Sequence, residues 1–305
     1  MTRIIFLTGM HRSGTTFFGK FLNSFRNTYY IHEPLNPSNR INHLGFIQKY
    51  YWKLPLHLDN NLKGFINIKK YIYTLKKNIE LSSNFKDLLK SFYYYFLTIF
   101  AKINSSKIII KDPFFLFYVD YFKKVNVLKK SDIIILIRDP INFVASCVKR
   151  NWDFDFNNLL KQENILDFFS KKEVYLIKML QNCNKIEKLA YLWKILSSKI
   201  IKLKKKDESI HLVFYNNFIL DEKKNSKIKL KKLKLIYGIR NEKFLEKIKK
   251  KNYANKASNI HRIDPIKDLS NYKKILSKKD IIMIKKVCNK EFYILKKIFK
   301  KKAII

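Results

Sequence analysis

Four groups of residues in this chain have the types and spacing for anion and proton chemistry. The first lies in Arg3-Ile-Ile-Phe-Leu-Thr-Gly-Met-His-Arg-Ser-Gly-Thr-Thr16, an apolar strand running through a glycine-bearing loop into a helical pattern. Such a loop turns backbone N–H groups inward, and a helix N-terminus adds roughly half a positive charge there. It is a cradle for a phosphate or a sulfate. Gly9 and Gly14 keep the glycine spacing of the nucleoside-triphosphate loop G-x-x-x-x-G-K-S/T, yet Thr15 stands in the lysine's place and Arg12 lies inside the loop. Thr15 or Thr16 can add a hydroxyl to an anion or cap the helix that carries Phe17, Phe18, Phe21 and Leu22.

The second group follows the apolar run Ile133–Ile137, which reads as a buried strand. Arg138 ends it, Asp139 and Pro140 fit the N-cap and first residue of a helix, and Ser146 falls two turns in. An arginine closing an apolar strand is costly without an anionic partner. Arg138 and Ser146 can close on one dianion, the guanidinium as a charged fork and the hydroxyl as a directional donor. The third group is Thr28-Tyr-Tyr-Ile-His-Glu-Pro34, a short strand ending in Glu33, a carboxylate able to take a proton. Strand alternation turns the adjacent His32 to the opposite face, which ranks it second as a base; His11 in the loop is third. The fourth is Lys111, at the end of the strand Lys107–Ile110 and ahead of Asp112 and Pro113, again a cap and a first helical residue.

The elements that must position these groups form an α/β pattern. Strand and helix signals alternate along 305 residues without a Pro/Gly/Ser-rich linker, so one domain, residues 1–305, is expected, with a parallel sheet flanked by helices. A helical insertion covers residues 41–105 approximately, and a C-terminal helical segment residues 265–305. In a parallel sheet the ligand crevice lies beyond the carboxyl ends of the strands, where Glu33, Lys111 and Arg138 all fall. The insertion is rich in aromatics, among them Tyr50, Tyr51, Trp52 and Phe92-Tyr-Tyr-Tyr-Phe96, and reads more readily as a packing layer than as a sugar-stacking platform.

Arg12–Thr16 resembles the 5′-phosphosulfate loop of the sulfotransferases that use 3′-phosphoadenosine 5′-phosphosulfate (PAPS), and Arg138 with Ser146 resembles their 3′-phosphate motif. The strand-end Glu33-Pro34 is similar to the catalytic-base position of the carbohydrate-type members. The resemblance implies a P-loop nucleotide-kinase-like three-layer sandwich and a PAPS-dependent enzyme that sulfates a hydroxyl, most readily of a glycan, without a metal. It implies that Arg12, Ser13, Gly14, Thr15 and Thr16 hold the phosphosulfate, that Glu33 is the base, and that Lys111 faces the transferring sulfuryl group. Tyr215 would sit near the adenine, although Tyr215-Asn-Asn217 lacks the two carboxylates usual in the family, and Arg262 would add a contact to the 3′-phosphate.

Other function classes fare worse. The 64 basic residues against 24 acidic ones give a formal charge of +40, yet only eight are arginine, and the Lys, Ile, Asn, Phe and Tyr excess matches A/T-rich codons. Clusters such as Lys202–Lys206 read as solvated helix faces, no nucleic-acid motif accompanies them, and no dedicated nucleic-acid partner is expected. The field would still favour anionic substrates and loose association with an acidic membrane. Cys147, Cys183 and Cys288 form neither a disulfide framework nor a metal set, and the longest apolar run, Phe92–Ala101, is far below the roughly 20 residues of a membrane helix. With no leader sequence ahead of the first strand, a cytoplasmic enzyme of bacterial type is expected. Two rivals stay open: a small-molecule kinase on the same fold, and a non-catalytic polyanion-binding protein.

Overall fold

The computed structural model describes residues 3–33, 36, 52, 54, 76, 79, 85–104, 107–120, 131–220, 243 and 265–301. Five strands, β1 (Arg3–Gly9), β2 (Thr28–His32), β3 (Lys107–Lys111), β4 (Ser131–Ile137) and β5 (His211–Phe214), form one parallel sheet in the order β2-β3-β1-β4-β5. The register sets Arg3 and Thr28 both beside Lys107, Ile4 beside Ser131, and Ile134 beside His211. These strands are β-branched runs because a parallel sheet is covered on both faces.

Alternation along each strand sorts the core into two layers. Ile4, Phe6, Ile108, Ile110, Ile133, Ile135 and Ile137 pack with Phe143, Trp193 and Leu196 on one side. Ile5, Leu7, Ile109, Ile134 and Leu136 pack with Phe18, Phe21, Leu22 and Phe218 on the other. The first layer is roofed by the helices Pro140–Lys149, Lys185–Lys206 and Lys278–Lys301; the second by α1 (Thr15–Asn23) and the helix Tyr215–Leu220. The strand order reverses about β1, so the crevice of this sheet opens where the loop after β1 lies between the ends of β3 and β4.

Several expectations change in detail. Pro113–Phe117, expected as the start of a helix, is a 3-10 turn capped by Asp112, and Tyr215 opens a helix directly after β5. Phe92, Tyr93 and Phe96 of the helix Phe85–Ile103 are exposed, and only Tyr94 of that aromatic run is buried; Ser91 and Thr98 share its inward face. The lysine cluster 202–206 is not wholly solvated. Lys204 is buried, its ammonium donating to the carbonyls of Glu208 and Ile210 at 2.5 and 2.6 Å, which closes the turn into β5. Within the expected 41–105 insertion most of residues 41–84, together with the lysine-rich residues 229–234 and 247–251 and Arg262, lie outside the described residues. Among the described residues, no helix is long and apolar enough to cross a membrane.

Candidate active site

The loop after β1 is pulled tight by Ser13, whose N–H and hydroxyl both donate to the Met10 carbonyl, at 3.2 and 2.6 Å. Arg12 has φ 62° and Gly14 φ 90°, two left-handed residues flanking Ser13, an arrangement that turns successive N–H groups toward one hollow. Gly14 is obligatory on two counts: its φ, and the Tyr215 ring, which a Cβ would meet at 2.4 Å. Gly14 is also the N-cap of α1, and no side chain caps it. Thr15 and Thr16 therefore lie inside the first turn and do not cap it, contrary to one sequence expectation. Among the described residues no side chain caps the N–H groups of Thr15 and Thr16, which face an anion site.

Glu33 sits one residue beyond β2. Its N–H donates to the Lys111 carbonyl at 2.7 Å, and its φ of 44° then swings the chain out of the strand. This kink overturns the alternation argument for His32: its Nε2 lies 3.9 Å from the Glu33 carboxylate, on the same side, while its Nδ1 pairs with the Tyr30 hydroxyl at 3.0 Å. The Glu33 carboxylate is in direct ion-pair contact with the buried Lys111 ammonium and accepts from Asn36 at 2.6 Å. Burial pushes the Glu33 carboxyl up, but Lys111, His32 and the two hydrogen bonds outweigh it and hold the pKa at about 2. Burial also lowers the Lys111 pKa, against the pull of Glu33. Lys111 thus serves as the counter-ion of Glu33.

His11 links this pair to the loop. Its ring is enclosed by Trp52, Phe114 and Trp152, at centroid separations of 5.1, 4.8 and 5.7 Å. Burial lowers its pKa to about 3, Glu33 opposing and Lys111 and Arg12 assisting, so the imidazole is neutral at physiological pH. With pKa values of about 3 and about 2, neither His11 nor Glu33 is a strong base while Lys111 stays paired.

Arg138 closes the other flank. Only 4% of its side chain is exposed. One terminal nitrogen donates to the Arg12 carbonyl at 2.9 Å and the other to Asp268 at 2.5 Å, and the guanidinium lies 5.2 Å from the Tyr215 ring centre. Its backbone carbonyl accepts from the Trp193 indole at 3.0 Å, tying the strand end to the helix Lys185–Lys206. Asp139 caps the next helix as expected, accepting from the N–H groups of Ile141 and Asn142. Ser146 is buried on that helix and makes no side-chain hydrogen bond among the described residues. The buried Nε atoms of Arg12 and Arg138 likewise have no hydrogen-bond partner among the described residues. Two charged donors are thus held beside an open helix N-terminus, a donor set suited to an anion.

Sequence reasoning missed Asp268, Asn36 and the aromatic enclosure of His11. Asp268 stands 130 residues from Arg138 with no motif around it. Only the cost of a lone arginine at a strand end signalled that such a partner had to exist.

A parallel sheet that gathers a glycine-loop anion cradle, the buried Arg138 beside Arg12, and a carboxylate–lysine pair along one edge has the layout of a group transferase. The profile of the Sulfotransferase family matches residues 4–224, which include the loop, Glu33, Lys111, Arg138, Ser146 and Tyr215, and the chain belongs to that family. It is an enzyme of the sulfotransferase class. Among solved structures it is similar to the sulfotransferase domain of the Synechococcus PCC 7002 olefin synthase, at 14% identity over 94% of each chain, with a TM-score of 0.47. It is also similar to the sulfotransferase domain from the curacin biosynthetic pathway, at 14% identity over 79% of this chain and 77% of that one, TM-score 0.42. A third similar structure is a sulfotransferase from Alicyclobacillus acidocaldarius, at 12% identity over 93% and 95%, TM-score 0.39. No curated protein matches the chain.

Proposed function

We propose that this enzyme moves the sulfuryl group of PAPS to a hydroxyl, that of a carbohydrate, without a metal ion. The observation that carries the reading is the convergence on one edge of the uncapped α1 terminus, with Thr15 where a kinase has lysine, and the ion pair of Glu33 with the buried Lys111. The residues fit the donor. Backbone N–H groups of Arg12–Thr16 hold the phosphosulfate, and Arg12 stabilises charge growing on the bridging oxygen as it leaves. Arg138 and Ser146 take the 3′-phosphate, anchoring the donor through a part that does not react, with Tyr215 as the platform behind the loop.

In the transfer step the acceptor oxygen bonds to sulfur, the bond from sulfur to the bridging phosphate oxygen breaks, and the acceptor's proton goes to Glu33. A carboxyl held at about 2 accepts a proton poorly, so Lys111 has to transfer its charge from Glu33 to the incoming sulfuryl oxygens first. Donor binding then switches the base on. The acceptor assignment rests on the strand-end Glu33, in keeping with the carbohydrate-type pattern.

The test is PAPS turnover, read as release of adenosine 3′,5′-bisphosphate against a panel of saccharides and simple alcohols. Glu33→Gln should bind the donor as the native enzyme does and turn over at least ~100-fold more slowly. Unchanged turnover would remove Glu33 from the chemistry, and turnover of ATP-Mg in place of PAPS would establish the kinase reading.

A further inference from the structure

Arg138, the guanidinium assigned above to the 3′-phosphate, already holds an anion of this chain. Asp268 lies in the short helix Pro265–Ser270, beyond the residues that match the family profile. Its Oδ2 accepts from Arg138 at 2.5 Å, and both side chains are more than nine-tenths buried. Leu269, the next residue, packs against the cluster of Tyr215, Phe218 and Ile219, so the carboxylate is delivered by an anchored segment.

Two roles are conceivable for such a carboxylate, and they differ in sign. A positioning residue would hold Arg138 ready for the nucleotide, and its loss would weaken binding. Arg138 is held without it, however: one nitrogen is fixed on the Arg12 carbonyl and the guanidinium lies over the Tyr215 ring. Asp268 instead occupies a charged donor that the phosphate needs, and a carboxylate left there would repel an arriving dianion in a site with little water to screen it. The phosphate brings more charge and more acceptor oxygens than one carboxylate.

From this juxtaposition, and resting on the donor reading above, we infer that Asp268 is a built-in competitor for the 3′-phosphate subsite. It gives up Arg138 when the nucleotide binds and retakes it as adenosine 3′,5′-bisphosphate leaves. Asp268 therefore sets nucleotide affinity and speeds product release.

The test is calorimetric titration of the full-length native protein and of Asp268→Asn with adenosine 3′,5′-bisphosphate and with adenosine 5′-phosphate. Asn keeps the size and one acceptor for Arg138 while removing the charge. The variant should bind the bisphosphate ~10-fold more tightly, the ratio expected for relief of one charge-assisted contact, and release it more slowly. Its affinity for the monophosphate should stay unchanged. Hydrogen exchange gives a second readout in the native protein: backbone amides of residues 268–276 should exchange faster when the bisphosphate saturates the site. A native preference for the bisphosphate that Asp268→Asn leaves equal or lowers, or amides that slow on binding, would overturn this inference alone. Equal affinity for the two nucleotides in both proteins would overturn the donor reading, and the inference with it.

Discussion

Replacing Lys111 by Met tests whether the Glu33–Lys111 contact is a working ion pair. Met keeps most of the stem volume at a position only 1% exposed and removes the charge. The Glu33 carboxyl moves from 4.5 to about 2 on folding, a gap worth about 3 kcal/mol at 1.36 kcal/mol per pH unit, and its side chain is 17% exposed, so solvent screening trims this modestly. The sign follows from the depressed value. The stabilisation is present in full above about pH 4.5 and disappears as pH falls through about 2. Without Lys111 the largest interaction opposing burial is lost, and the Glu33 carboxyl shifts upward, with Asn36 and His32 among its remaining partners. Lys111→Met should therefore cost about 3 kcal/mol at pH 7 and clearly less at pH 3, where most of the gap has closed. Urea unfolding of both proteins across pH 3–7, compared through their midpoints at equal slope, reads the difference directly. A deficit that does not change with pH would mean that Met merely packs badly, and the electrostatic account of the pair would be wrong.

Two further substitutions probe the parts that hold the site. Gly14→Ala places a side chain at φ 90° and drives its Cβ into the Tyr215 ring; it should cost about 1–3 kcal/mol from strain alone and weaken nucleotide binding, as thermal unfolding with and without nucleotide would show. Adding Tyr215→Ala should relieve the collision but not the strain, and full recovery would refute the φ argument. Asp139→Ala removes the acceptor for two N–H groups and should lower stability by about 1 kcal/mol while leaving Arg138 on its strand; a loss below a few tenths in urea unfolding would show that the cap is idle.

The sheet and the loop were legible in the sequence because both depend on local chemistry. Ile4–Leu7 and Ile133–Ile137 are apolar on both faces, as a doubly covered parallel strand must be, and Gly9 and Gly14 mark a loop whose backbone tolerates few alternatives. The strand-end placement of Glu33, Lys111 and Arg138 followed from the same logic. Four features escaped it. His32 joins Glu33 because the chain kinks at a left-handed Glu33, and period-two reasoning cannot foresee a backbone departure at a strand end. Asp268 meets Arg138 through tertiary packing of a distant segment, which one sequence does not encode as a pattern. Phe92 and Phe96 face outward while Ser91 and Thr98 face in, because the helix Phe85–Ile103 buries a small polar seam that hydrophobic periodicity would have assigned to solvent. Lys204 departs from its cluster for a similar reason: its stem is long enough to bury while its ammonium finds two carbonyls.

The most direct measurement is the thermal stabilisation of the native protein by adenosine 3′,5′-bisphosphate, set against ATP-Mg at equal concentration and repeated with Arg138→Ala. A pocket that grips a nucleotide through both the α1 terminus and Arg138 predicts a larger shift with the bisphosphate, and loss of that preference in the variant. A larger shift with ATP-Mg, or a preference that survives without Arg138, would contradict it.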